Sequence, residues 1–117
     1  MPDAAAPNNP YSTKLICQTL DDLSLHTRQN PDYLLTLKEF PRIALEAPST
    51  SGGKFWLGVA METGVSVRWG KRGTQGTVKH FPLTHCFDGD PVQELRRRVL
   101  EKLNKGYDII PHETKLP

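Results

Sequence analysis

The chain has 117 residues, a formal net charge of +2, ten prolines and nine glycines. That length has room for one modest core and argues against a deep enzyme cleft with its own lid. No apolar run approaches the roughly 20 residues of a membrane helix, and the start, MPDAAAPNNP, has neither the basic nor the apolar region of a secretory signal. A cytoplasmic protein without a membrane partner is the expectation.

The distribution of charge says more than its total. Residues 52–107 carry ten Lys/Arg against five acids, a local excess of +5; residues 1–51 sum to −2 and the last ten to −1. Such asymmetry points to an anionic partner. Cys17 and Cys86 lie far apart and form no C-x-x-C pair. Two free thiols are expected over one disulfide.

In chain order, residues 1–12 are small, Pro- and Asn-rich and aperiodic, and read as a disordered tail. Leu15, Ile16, Leu20 and Leu23 fit a helical stripe loosely, Thr19 with Asp22 resembles a capping box, and Asn30-Pro31 would stop the helix. Tyr33 to Lys38 reads as a short strand. Residues 13–41 thus form an N-terminal extension of uncertain structure. Arg42–Ala47 alternates as a strand, and 48–53 is a loop by composition. Lys54–Ala60 places Phe55, Leu57 and Val59 on one face and Trp56 on the other. After a turn at Met61–Gly64, Val65–Trp69 groups Val65, Val67 and Trp69 against Ser66 and Arg68. Gly70–Gly76 is a hairpin loop in which Gly73 and Gly76 tolerate positive φ. Thr77–Phe81 is a fourth strand, ended by Pro82.

The period then changes. Asp90 suits the N-cap, Pro91 the first helical position, and Gln93 completes a D-x-x-Q box. Val92, Leu95, Val99 and Leu103 recur at helical spacing, with Leu100 widening the stripe. Gly106 suits the position after the helix. A helix of about 14 residues follows. Burying its stripe on the preceding sheet contributes roughly 1.5–3 kcal/mol per large side chain before entropy is subtracted. The expected fold class is α+β: an antiparallel sheet of four or five strands with one C-terminal amphipathic helix packed on a face. The principal domain spans 42–110, and 111–117 is a tail.

Trp69-Gly70-Lys71-Arg72-Gly73-Thr74-Gln75-Gly76 resembles the W-G-R-x-G-x-x-G core of the WGR domain family. Lys54-Phe55-Trp56 resembles the family's K-F-[WY] strand start, and Phe81 stands where the family keeps an apolar residue after the hairpin. Glu101-Lys102-Leu103 with Lys105-Gly106-Tyr107 resembles its E-K…K-G-[YW] helix end. The resemblance runs from Arg42 to Tyr107. It implies an antiparallel sheet with one packed helix, and a module that binds nucleic acid, DNA before RNA. The WGR domains of poly(ADP-ribose) polymerases bind broken DNA ends; short stand-alone bacterial proteins of the family also occur, and this chain looks like one of those. One departure is plain. Lys71 replaces the family's Arg, with Arg72 beside it, and a point charge lacks the bidentate fork of a guanidinium.

The candidate nucleic-acid-binding residues are Trp69, Gly70, Lys71, Arg72, Lys54, Arg68 and Lys79. Trp69 reads either as a stacking platform or as a core residue grouped with Val65 and Val67; Trp56 reads as sheet packing. Lys71, Arg72 and the glycine turn suit a phosphate cradle or an ordinary solvated loop, but make no nucleotide P-loop. Arg96, Arg97, Arg98, Lys102 and Lys105 make the helix basic; Glu94→Arg98 and Glu101→Lys105 are favourable helical pairs. His80, His85 and Cys86 match no common zinc spacing, and no nucleophile–base pair stands out. No catalytic residue, metal or cofactor is therefore assigned. The expected function is non-enzymatic nucleic-acid binding with little sequence preference. A protein–protein interaction module is the alternative.

Overall fold

A computed structural model describes residues 11–117, so most of the stretch read as a disordered tail lies outside the described residues. It contains two α-helices, α1 (Thr13–Gln29) and α2 (Pro91–Asn104), and five strands: β1 (Arg42–Ala47), β2 (Lys54–Met61), β3 (Gly64–Lys71), β4 (Thr77–Pro82) and β5 (Asp108–Ile109). The strands form one antiparallel sheet in the order β4-β3-β2-β1-β5. The helix α2 packs on β2 and β3, and α1 packs on α2. The α+β architecture expected from the periodicities is the one observed.

The N-terminal extension contains a full helix. Its cap is Ser12, whose Oγ accepts from the Leu15 N–H at 3.3 Å. The expected box at Thr19 and Asp22 lies within the helix instead. Ile16, Leu20 and Leu23 enter the common core, whereas Leu15 is 41% exposed. Asn30 ends the helix, as its neighbour Pro31 requires. The expected strand at Tyr33–Lys38 is a 3-10 turn over Tyr33–Thr36. Only Leu34 of that turn is buried, so its apolar run never faces a strand partner.

Helix α2 follows its capping signals closely. Asp90 Oδ1 accepts from the N–H groups of Val92 and Gln93 at 3.0 and 3.2 Å. The reciprocal half of the expected box is absent among the described residues, because the Asp90 N–H donates to the Phe87 carbonyl instead. The buried Asp90 carboxylate also accepts from the Ser24 hydroxyl and faces Arg28 at 3.7 Å, so one cap fastens α1 to α2. Arg96 pairs with Asp21 across the same seam.

Val92, Leu95 and Val99 are fully or almost fully buried. They meet a sheet face built by Ile43 and Leu45 of β1, Trp56 and Ala60 of β2, and Val65 and Val67 of β3. Gly58 is what lets the helix come this close. A Cβ there would lie 2.5 Å from the Trp56 ring and 2.7 Å from Leu95, so the bare backbone makes room for the indole and the helix above it. Phe55, Leu57 and Val59 point to the opposite face and are half-buried.

Residues 111–117 lie against β1. The Arg42 and Lys115 backbones exchange hydrogen bonds of 2.8 Å, Ile110 N–H donates to Ala44 O, and the buried Thr114 hydroxyl accepts from Ala44 N–H at 3.0 Å. The outer edge of β1 is thereby satisfied along its length. The β4 edge has no strand beyond it among the described residues.

Candidate functional site

Side chains alternate along β3, and this sorts the candidate residues onto two faces. Trp69 and Lys71 share the helix-side face with Val65 and Val67; Arg68 points to the opposite side. The register places Trp56 opposite Trp69, Lys54 opposite Lys71 and Lys79 opposite Val67. Trp69, Lys54, Lys71 and Lys79 therefore stand together on the helix side. Arg68, opposite Leu57 and Val78, does not join them.

Trp56 and Trp69 are cross-strand neighbours with different fates. Trp56 is 4% exposed, under α2; Trp69 is 37% exposed, at the strand end where the helix no longer covers the sheet. The Trp69 indole separates two shallow depressions. One, of about 250 Å³, is bounded by Lys79, Phe81, Arg98 and Lys102; the other, of about 340 Å³, by Lys54, Gly70, Lys71 and Tyr107. Lys79 Nζ lies 5.0 Å from the Phe81 ring centre and Lys102 Nζ 5.5 Å from that of Tyr107, so aromatic faces hold both ammonium groups near the tryptophan. Lys54, Lys71, Lys79 and Lys102 make no ion pair among the described residues. Glu101 is the acid that reaches this surface.

Arg72 takes no part in it. Its guanidinium pairs with Glu46 of β1, its backbone N–H donates to Gly53 O at 3.0 Å, and its side chain lies over Gly53. Its charge is locally answered, and it fastens the hairpin to the loop that precedes β2. The helix arginines divide similarly. Arg97 and Arg98 bind the fully buried Glu94 carboxylate at 3.2 and 2.6 Å, and the same carboxylate accepts from the Phe87 N–H. Arg98 also lies 3.8 Å from the Phe81 ring centre. These cations hold α2 to the loop before it. Lys102 belongs to the surface but is missing from the set drawn from β2–β4. Its signal was the E-K…K-G-[YW] pattern at the helix end, in which Lys102 is the first lysine and Tyr107 the aromatic that comes to lie beside it.

The glycines of the hairpin act through the backbone. Gly76 has φ +70°, and a Cβ there would sit 2.3 Å from the Trp69 carbonyl and 2.9 Å from the Phe55 ring. A Cβ on Gly70 would meet Gly76 Cα at 2.8 Å. The two halves of the loop thus close on each other over Phe55, and that closure fixes the backbone that carries Trp69.

His80 is held by a Ser66 Oγ contact of 2.8 Å at Nδ1 and the Thr63 carbonyl at 3.3 Å from Nε2. Burial pushes the Cys86 thiol above its ordinary pKa, and the nearby Glu94 carboxylate adds to this. Burial likewise raises Cys17, against the opposing influence of Arg96. Both cysteines are free thiols. Among the described residues no group of three His, Cys, Asp or Glu side chains is placed to hold a metal ion, and no helix is long and apolar enough to cross a membrane. Compared with family models, with curated proteins and with solved structures, the chain finds a match in none of the three.

Proposed function

We propose that the chain is a WGR-type module, cytoplasmic and of bacterial type, that binds nucleic acid without catalysing a reaction, and that the helix-side face around Trp69 is its contact surface. The observation that carries this reading is an exposed indole flanked by Lys54, Lys71, Lys79 and Lys102, none of them neutralised by an acid among the described residues. Lysines on a stiff sheet contact phosphates as point charges, and an indole accepts a base or sugar face whatever the sequence. A stacked base contributes roughly 1–3 kcal/mol. Among the described residues the lysines and the indole sit on the sheet face and the end of α2, an arrangement that favours phosphate contact and stacking over base readout. DNA is the preferred partner, on the resemblance of the hairpin to WGR modules.

Titration of blunt duplex, nicked duplex, single-stranded DNA and RNA at two salt concentrations tests this. With three or four phosphates neutralised, the log–log salt slope is expected near about −3. Lys54→Glu with Lys71→Glu should weaken binding and flatten its salt dependence, and leave the melting temperature within about a degree, because both side chains are exposed. Arg72→Gln, whose charge Glu46 already answers, should change affinity far less. A salt-independent interaction untouched by the lysine pair would transfer the face to protein docking.

A further inference from the structure

The other face of the sheet carries a chemically different depression. A cavity of about 260 Å³ lies between the hairpin loop at Arg72–Thr74 and the C-terminal segment at Ile110–Glu113, floored by Ala44, Phe55 and Leu57. Arg42 and Arg68 line it as well. Arg68 has no hydrogen bond or ion pair among the described residues, and its cross-strand neighbours are Leu57 and Val78, both apolar. Arg42 spends one N–H on the Glu113 carbonyl at 3.3 Å, which leaves the rest of its fork unassigned. Arg72 is answered by Glu46. The Arg68 guanidinium is exposed and unpaired among the described residues, so its fork is open to an anion that can also lie against Leu57.

We propose that this outer-face cavity binds a small organic carboxylate, its carboxyl group held by Arg68 and Arg42 and its hydrocarbon body laid on Leu57 and Phe55. A guanidinium fork matches a carboxylate two-to-two, and the apolar floor supplies the remaining contact. The volume is smaller than the cavities that take drug-sized ligands, which suits one short acid. Glu113 at the rim disfavours a second negative charge, so a monoanion fits better than a phosphate dianion. The site lies across the sheet from Trp69 and shares none of the lysines of the nucleic-acid reading.

Hydrocinnamate, its neutral amide and acetate are the probes, titrated into the full chain and followed by amide chemical shifts. Hydrocinnamate should move the signals of Leu57, Arg68 and Thr74, and bind about tenfold more tightly than the amide, the equivalent of one charge-assisted hydrogen-bond pair. Acetate, with no body to lay on the floor, should bind more weakly than either. Arg68→Gln should remove the preference for acid over amide without lowering the melting temperature, since the side chain is exposed. Lys54→Glu with Lys71→Glu should leave hydrocinnamate binding unchanged, which separates this site's failure from failure of the Trp69 face. Equal affinity for acid and amide, shifts confined to the helix side, or no shift with hydrocinnamate would each overturn the proposal.

Discussion

Trp56 and Trp69 face each other across β2 and β3, on the same side of the same sheet, and yet one is sealed and the other is open. The difference lies outside the strands. Gly58 beside Trp56 lets Leu95 and the helix settle over that ring, whereas the region beside Trp69 meets the later, polar part of α2 at Arg98, Glu101 and Lys102. A buried aromatic supports the fold; an exposed one at a strand end, ringed by cations, is free to meet a ligand. Strand alternation assigns a face, and the helix overhead then decides whether that face is core or surface.

The largest effect should come from breaking the buried half of the pair. Trp56→Ala removes a ring packed under α2 and should cost about 3–5 kcal/mol in denaturant unfolding. A loss below about 1 kcal/mol would mean that the ring is not part of the packed core. Next comes the clamp that positions the helix. Arg98→Ala takes the closest partner from the Glu94 carboxylate, which is fully buried and keeps only the half-exposed reach of Arg97 and the Phe87 N–H. A buried charge left short of partners should cost about 3 kcal/mol. The same change to Arg97, whose side chain is 62% exposed, should cost well under about 1 kcal/mol.

The hairpin sharpens the comparison further. Gly76→Ala puts a Cβ against the Trp69 carbonyl at a positive φ, and should cost about 2 kcal/mol and displace the indole. Gly73→Ala, also at positive φ but with nothing within 4 Å, should cost about 1 kcal/mol and leave Trp69 fluorescence unchanged. Equal losses from the two substitutions would show that the loop does not close as described.

The sheet and α2 were legible because each residue's role was local. Alternation in β2 and β3, and the Asp90-Pro91 cap with its stripe, are decided by near neighbours. The first helix was only half legible: Leu15 fits the stripe by spacing but lies off the buried face, and Ser12 caps from within a segment read as tail. The 3-10 turn at Tyr33–Thr36 shares its apolar composition with a strand, and only the absence of a pairing edge distinguishes them. In the candidate site, Trp69, Lys71, Lys54 and Lys79 come together because they share parity on paired strands, and Gly70 joins them only through its backbone beside Trp69. Arg68 has the opposite parity on β3, which separates it. The neutralisation of Arg72 by Glu46, 26 residues away, depends on tertiary contact that no local pattern encodes.

The core also sets a pH limit. The Cys86 thiol has its pKa raised by burial, so the folded protein disfavours the thiolate that the unfolded chain forms above its ordinary value of 9.0. The contribution to stability is complete below that value and is lost as pH rises towards the folded-state value. Alkaline destabilisation beginning near pH 9.0 should flatten in Cys86→Ala, measured by denaturant midpoints across the pH series.

Of the two tryptophans, Trp69 should matter far less to stability when replaced by Ala. Its indole is 37% exposed, lies beyond the helix cover and makes no hydrogen bond among the described residues, so removal forfeits only partial burial, about 1 kcal/mol or less. Binding is where the substitution should register. Losing one stacked base would weaken association with single-stranded DNA by about tenfold while leaving the salt slope untouched, because stacking releases no counterions. Lys54→Glu with Lys71→Glu, by contrast, should flatten the slope as well as lower the affinity. If Trp69→Ala instead lowered stability as much as Trp56→Ala, the two tryptophans would share one structural role, and the open face would lose its separate standing.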